Sequence, residues 1–310
     1  MSFFSPTAYL TLTRGFTHRE PFFKSHPHWA AIRERLRPFR LLCLPLRKIP
    51  PSAPLVLFND VESFGKSLDF IHKRSPDTLR LIQLEPPINT QFEYQYTPAC
   101  YARFSRIYTL RDDIQGPKFQ KIHYPHPLQS HPPKPQQRLL TMIADHPQFS
   151  CATNSLCTER RRVIEFFEDK PDADFTFYGT GWKYINYRTY GGPVDDKLST
   201  LSNFRFTIAY EKGHSMPGHV TAQILDCLCA GSVPIYWGAP NITDYIPSDC
   251  FIDRTQFPSD QALYDHLLTL DPTPYLAAAS RFLASKKAAL FSTDRFIDQI
   301  SADIQEALEA

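Results

Sequence analysis

The sequence predicts an α/β protein built on two parallel sheets. Three observations carry this. Short apolar runs alternate with stretches of helical spacing along most of the chain. The alternation occurs twice, on either side of a proline-rich seam, "HYPHPLQSHPPKPQQR" (residues 123–138). With 310 residues, 42% of them hydrophobic, the chain is too long for one small domain and rich enough for two cores.

In the first half, "APLVLFND" reads as a buried strand closed by an Asn-Asp turn. "VESFGKSLDFIHKRS" has helical spacing. "TLRLIQLEPP" is a strand that ends at Glu85, before two prolines. "YARFSRIYTLRDDI" is a helix leading into a strand. The first 50 residues carry no readable pattern. The seam's prolines remove amide donors and block helix, so it reads as an extended linker. Beyond it, "RLLTMIA", "DFTFYGTGW", "FRFTIAYE" and "SVPIYWG" are strands. "TERRRVIEFFEDK", "KLSTLSNF" and "VTAQILDCLCA" are helices, and the last 50 or so residues are mostly helical. The expected domains are 1–130 and 131–310. Two such halves imply a cleft between them, with ligand bound beyond the carboxyl ends of the strands.

Composition narrows the function. A formal net charge of +2 argues against a nucleic-acid binder that works by bulk charge. It suits an anionic ligand held by a few local cations. Aromatics reach 14%, enough for ring-stacking sites. The seven cysteines are odd in number, lack zinc-knuckle spacing and partly sit in apolar runs. They imply a reducing compartment and no metal cage. The N-terminus is a poor signal peptide, and no apolar run reaches the roughly 18 residues a membrane span needs. The expectation is a cytoplasmic protein, with peripheral membrane contact left open.

One junction draws the chemistry: "AYEKGHSMPGHVTAQILDCLCAGSVPIYWGAPNITDYIP", read from Ala209. A strand delivers Tyr210 and Glu211 at its carboxyl end. Gly213 and Gly218 let backbone approach a ligand closely. A helix then starts near Val220 and Thr221, and its free N–H groups and positive dipole end make a standing phosphate site. Gly231 closes that helix. Neither G-x-G-x-x-G nor a P-loop is present, so the unit by itself reads equally well as a plain βαβ turn.

These residues resemble the donor-binding signature of the family-10 α-1,3/4-fucosyltransferases. That family reads Y/F-E-N, a loop, G-Y-[IV]-T-E-K-I, a small helix, then G-x-[VI]-P-[IV]-Y-W-G. The similarity continues into "DCFIDRTQF". Upstream it takes in "CTERRRVIEFFEDKPDADFTFYGTGW", "LIQLEPP" and "KFQKIHYPHP", covering roughly residues 80–260. It implies a GT-B fold, two Rossmann-like α/β domains facing across a cleft. It also implies inverting transfer of L-fucose from GDP-fucose to a hydroxyl of a GlcNAc- or glucose-containing glycan. Glu85 matches the family's general base, although alone it reads as a solvated acid before a turn. Arg160 matches the diphosphate arginine, with Arg161 and Arg162 able to share the role. Glu211 matches the glutamate of Y/F-E-N. The implied donor-binding set is Arg160, Tyr190, Glu211, Lys212, Gly218, His219, Val220, Thr221 and Gln223. No metal ligands and no required cofactor are implied, with a divalent cation at most a stimulant. The partners are a GDP-sugar donor and an oligosaccharide acceptor.

The departures fall at the donor site. Y/F-E-N reads Tyr210-Glu211-Lys212, so an amide has become a cation. G-Y-V-T-E-K reads Gly218-His219-Val220-Thr221-Ala222-Gln223, without the acid and the phosphate-facing lysine. A lost charge-assisted contact is worth about 1.5–3 kcal/mol. Lys212 or His219 is positioned in sequence to return the charge. Three readings stay open: a fucosyltransferase with a rebuilt donor site, a transferase for another nucleotide sugar, or a catalytically silent binder of glycan or nucleotide.

Overall fold

A computed structural model describes residues 8–12, 32, 34–35, 42–44, 46–61, 63, 65–88, 92–131, 138–146 and 155–309. Cys151 and the middle of the seam, residues 132–137, lie outside them. The chain forms two compact units, Met1–Pro127 with Leu290–Ala310, and Leu128–Ala289.

The first unit holds a six-stranded sheet of β1 (Ala8–Leu12), β2 (Leu42–Cys43), β3 (Leu55–Asn59), β4 (Leu79–Gln83), β5 (Arg106–Thr109) and β6 (Phe119–Lys121). All neighbours pair in parallel, in the order β2-β1-β3-β4-β5-β6. The pairing of β1 and β2 was not legible in the sequence. Both are short, and "AYLTL" lacks the long apolar run that marks its neighbours. Helices α1 (Lys66–His72) and α2 (Pro98–Tyr101) lie between strands. Residues Leu55 to Phe58 are all buried, as in a strand covered on both faces. Alternate side chains therefore feed two cores. Val56, Phe58, Leu79, Leu81 and Ile107 join Ile71 and Phe104 in one. Leu55, Leu57, Ile82 and Tyr108 join the other.

The second unit holds β7 (Arg138–Ile143), α3 (Cys157–Glu168), β8 (Phe175–Tyr178), α4 (Lys197–Leu201) and β9 (Phe204–Tyr210). It continues with α5 (Ala222–Ala230), β10 (Val233–Trp237), β11 (Ile252–Asp253), α6 (Asp260–Thr269) and α7 (Thr273–Leu283). Its sheet is parallel, in the order β11-β10-β9-β7-β8. On α3, Val163, Ile164 and Phe167 are buried, and Phe167 stacks on Phe175 with ring centroids 4.3 Å apart. Helix α5 is buried from Ile224 to Ala230 and ends on Gly231, whose φ of 67° is the left-handed closure expected there.

The last helix, α8 (Thr293–Glu309), corrects the expected boundary. It belongs to the first unit, not with residues 131–289. Phe296, Ile297, Ile300 and Ile304 form one apolar stripe packed on the sheet's second core. Within that layer Asp303 accepts hydrogen bonds from Arg80 Nε (3.0 Å), Arg106 Nε (3.3 Å) and Tyr108 OH (2.7 Å). A cluster of two cations around one buried acid fixes where the helix lands.

The thiols also depart from expectation. Cys100, Cys227, Cys229 and Cys250 are buried thiols outside any disulfide, but Cys157 is disulfide-bonded. A reducing environment left no room for that bond, which depends on spatial proximity that cysteine spacing does not report. Among the described residues no helix is long and apolar enough to cross a membrane.

Replacing Asp303 by Ala strands the Arg80 and Arg106 charges and the Tyr108 hydroxyl in the core. The first unit should lose about 3–5 kcal/mol in denaturant unfolding, while the second unit's transition stays unmoved.

Candidate functional site

In the second unit the chain runs from β7 to β8 on one side of β7 and then to β9 on its other side. The reversal lies between β7 and β9, the place where open α/β sheets bind ligands. Glu211 follows the end of β9, and Asp145 follows the end of β7.

Glu211 is 1% exposed. Its backbone N–H donates to the Trp237 carbonyl on neighbouring β10 at 2.8 Å. Its Oε1 accepts from the Thr221 N–H (2.9 Å) and its Oε2 from the Thr221 hydroxyl (2.7 Å). Thr221 is the N-cap of α5, and its hydroxyl oxygen accepts from the Gln223 N–H at 3.3 Å. The helix thus begins at Ala222, and two amides expected to be free at its start are already engaged. Gly238 makes room for this. A methyl there would come within 2.4 Å of Glu211 Cγ and 2.5 Å of the Tyr236 hydroxyl.

Arg160 reaches the same place from α3. Its guanidinium donates to the Tyr210 carbonyl, and its charge acts on Glu211 and Asp145. Burial holds the Arg160 pKa below its ordinary value, partly offset by those two acids. Burial pushes Glu211 up to about 7, against the pull of the Thr221 hydrogen bonds and of Arg160 and Lys212. Arg161 and Arg162 differ from Arg160. Arg161 acts electrostatically on Tyr187, and Arg162 pairs with Glu159 (2.8 Å) and Asp260 (3.3 Å). The register within the arginine run therefore favours Arg160 for this site.

The loop from Lys212 to Val220 is held on both sides. The Lys212 carbonyl accepts from the Leu156 N–H at 3.0 Å, and Gly213 bridges to Ser155. The Gly218 N–H donates to Asn241 Oδ1 at 2.8 Å, with Gly218 at a φ of 76°. Ser215 also lies in the left-handed region, at 62°. His214 sits beside the Trp237 ring, 6.3 Å between centroids.

Two of the expected donor residues are buried. His219 is 2% exposed and Val220 1% exposed, both packed into the unit. Lys212, half-buried, lies next to Glu211 in the chain, and its charge acts on that acid. Tyr190 is half-buried, packs on Phe177 and donates its hydroxyl to the Gly179 carbonyl at 2.7 Å. Its role in the structure is to pin the exit of β8. Gln223 is half-buried at the first turn of α5.

The first unit has its own polar strand end. Glu85, half-buried, lies two residues beyond β4. Asp60, immediately after β3, is 4% exposed with a φ of 61°. Asp60 Oδ1 accepts from the Leu84 N–H (2.8 Å) and the Glu85 N–H (3.0 Å). The Glu85 carbonyl accepts from Tyr96 OH (2.6 Å) and Gln95 Nε2 (3.1 Å). Sequence reasoning missed Asp60, Gln95, Gly238 and Asn241. The Asn-Asp turn was visible as punctuation, but nothing local told which strand end the aspartate would hold. Among the described residues no three His, Cys, Asp or Glu side chains gather as a metal site.

Residues 147–278 match the model of the glycosyltransferase family 10 (fucosyltransferase) C-terminal domain, and the whole match falls in the second unit. An Arabidopsis thaliana α-(1,4)-fucosyltransferase is 36% identical over 77 residues, 24% of this chain and 19% of that protein. The α-(1,3)-fucosyltransferase FucT of Helicobacter pylori is 28% identical over 79 residues, 26% of this chain and 16% of that protein. The chain thus spans about a fifth of those curated relatives. A crystal structure of an α1,3-fucosyltransferase with GDP superimposes with a TM-score of 0.60 at 15% identity, covering 100% of this chain and 93% of that one. Anabaena HepE in complex with UDP-glucose gives 0.60 at 10% identity, covering 96% and 99%. The fold is GT-B.

Because Glu211 titrates higher folded than unfolded, the stability it contributes is complete below its ordinary carboxylate range and is lost as pH rises through about 7. Melting scans between about pH 5 and pH 8 should show wild type losing stability more steeply than Glu211→Gln. Parallel slopes would mean that Glu211 does not titrate there.

Proposed function

We propose that this chain, whose residues 147–278 match the family-10 fucosyltransferase C-terminal domain, is an inverting glycosyltransferase moving L-fucose from GDP-fucose to a hydroxyl of a GlcNAc- or glucose-containing glycan. One observation carries the reading. Within the family-matched segment, Arg160 and Glu211 meet the capped start of α5 at the sheet's switch point. That arrangement offers an arginine fork and a helix start to a diphosphate.

The chemistry follows from residue types. Glu85 accepts the proton of the acceptor hydroxyl. The freed oxygen forms a bond to the anomeric carbon of the fucose, the bond from that carbon to the diphosphate oxygen breaks, and GDP leaves. Arg160, Lys212 and the start of α5 take up the negative charge that develops on the leaving group. The donor is the substrate, and the reading calls for no resident cofactor.

A second reading has its own observation. Ala222 and Gln223 stand where the family carries an acid and a lysine, and a catalytically silent binder needs neither. Incubation with GDP-fucose, with and without glycan acceptors, separates the two through release of GDP. A thermal-shift series with GDP-, UDP- and CMP-sugars tests the choice of donor, since a ligand bound only by the folded state raises the melting temperature.

Arg160→Ala should weaken GDP binding by about 1.5–3 kcal/mol in calorimetry. Wild-type affinity in that variant, with loss in Arg161→Ala or Arg162→Ala, would move the role along the run. Glu85→Gln should lower turnover by about 10²-fold or more and leave GDP affinity nearly unchanged. Equal losses in both would mark Glu85 as structural.

A further inference from the structure

The first unit contains a buried acid for which the proposed reaction has no use. Asp60, directly after β3, adopts a left-handed conformation that a residue other than glycine adopts rarely. Aspartate tolerates it best when its side chain finds local partners, and here they come from the adjacent strand end. Its own N–H donates to the Ile82 carbonyl at 2.8 Å. Its Oδ1 accepts both the Leu84 and the Glu85 amides, at 2.8 and 3.0 Å. The turn after it is held by Gln95, 0% exposed, whose Oε1 accepts from the Val61 N–H at 3.1 Å. The same Gln95 donates to the Glu85 carbonyl, and Gln83 Nε2 donates to the Gln95 carbonyl at 2.6 Å.

The Glu85 peptide is therefore held on both sides. Asp60 takes its amide, and Tyr96 and Gln95 take its carbonyl. So many bonds on one residue outside a strand fix its backbone closely, which a proton acceptor needs. A neutral asparagine would supply the same amide acceptor without a charge. The fold instead keeps a carboxyl group, 4% exposed, within electrostatic reach of a second one.

We propose that Asp60 is the positioning residue of Glu85, fixing its backbone through the Glu85 amide and placing a second carboxyl group near enough for the charge of one acid to act on the other. This rests on the reading of Glu85 as the base. The groups that face Asp60 are Glu85 beyond β4 and Gln95 and Tyr96 in the turn Glu93–Tyr96; Arg111, beyond β5, faces Tyr96, its guanidinium 5.5 Å from that ring centre. Burial first, and then the charge of Glu85, push Asp60 up to about 7, against the pull of the Glu85 and Leu84 amides. Burial and the same two acids hold the Tyr96 hydroxyl well above its ordinary value, so it remains a donor throughout. As pH rises through about 7, Asp60 ionises and its charge strengthens Glu85 as a proton acceptor.

Carboxyl-carbon NMR titration of the full chain, together with steady-state kinetics on GDP-fucose, tests this. In wild type the Glu85 resonance should report a step near pH 7. In Asp60→Asn, which keeps the amide acceptor, that step should vanish. In the same variant kcat should fall about tenfold, with donor KM within about twofold and the rise of kcat through pH 7 lost. Tyr96→Phe, which loosens the carbonyl without removing charge, should keep the step. A Glu85 titration identical in wild type and Asp60→Asn overturns the proposal, as does a wild-type resonance without the step should Asp60→Asn fail to fold. Wild type that shows the step but never turns over GDP-fucose refutes the proposed function and leaves the coupled pair standing.

Discussion

The second unit is organised around one buried carboxylate. Glu211 takes both the amide and the hydroxyl of Thr221, and so joins the end of β9 to the start of α5. Neighbouring choices follow from that hold. Gly238 has no side chain because a Cβ would strike Glu211. Arg160 fills the space beside the acid and ties α3 to the Tyr210 carbonyl. A buried acid without hydrogen bonds and a nearby cation would be expensive, and here both are present. The same arrangement keeps a half-buried arginine next to a helix start, where a diphosphate would find charge already oriented.

The first unit solves a similar problem differently. Asp60 also spends its carboxylate on backbone amides, but those of the next strand instead of a helix. In both units an acid just past a strand fixes a loop that a parallel sheet otherwise leaves to itself. Strand ends in such sheets face no partner strand beyond their last pair, so side chains must satisfy the exposed backbone. The acids that do so also stand at the sheet's carboxyl edge, and structural and chemical duties fall on the same groups.

Helix α8 shows a third use of charge. Its apolar stripe would pack on many surfaces, and Phe296 or Ile300 alone cannot select one. Asp303 can, because Arg80, Arg106 and Tyr108 offer three donors only on the sheet of the first unit. Packing supplies the area, and the buried cluster supplies the address.

Much of this was legible in the sequence because it is local. Alternation of apolar runs and helical spacing marked β3, β4 and every element from β7 to β10, and Gly231 marked the end of α5. The residues Glu211, Thr221 and Arg160 stood out through a short motif and its flanks. What the tertiary structure decided depends on contacts between distant residues. Arg80 and Asp303 are 223 positions apart, so the home of α8 could not be read from its own amphipathic pattern. Asp60 and Glu85 are 25 apart and met only once β3 and β4 paired. His219 read from the motif as a source of the missing charge, and only the fold shows that it is buried, directly after a glycine whose N–H is held by Asn241. Sequence determined most of the strands and helices, β1, β2 and β6 excepted, and which residues carry charge. Folding determined which charges are buried together, because the cost of burying them depends on partners the linear chain does not bring close.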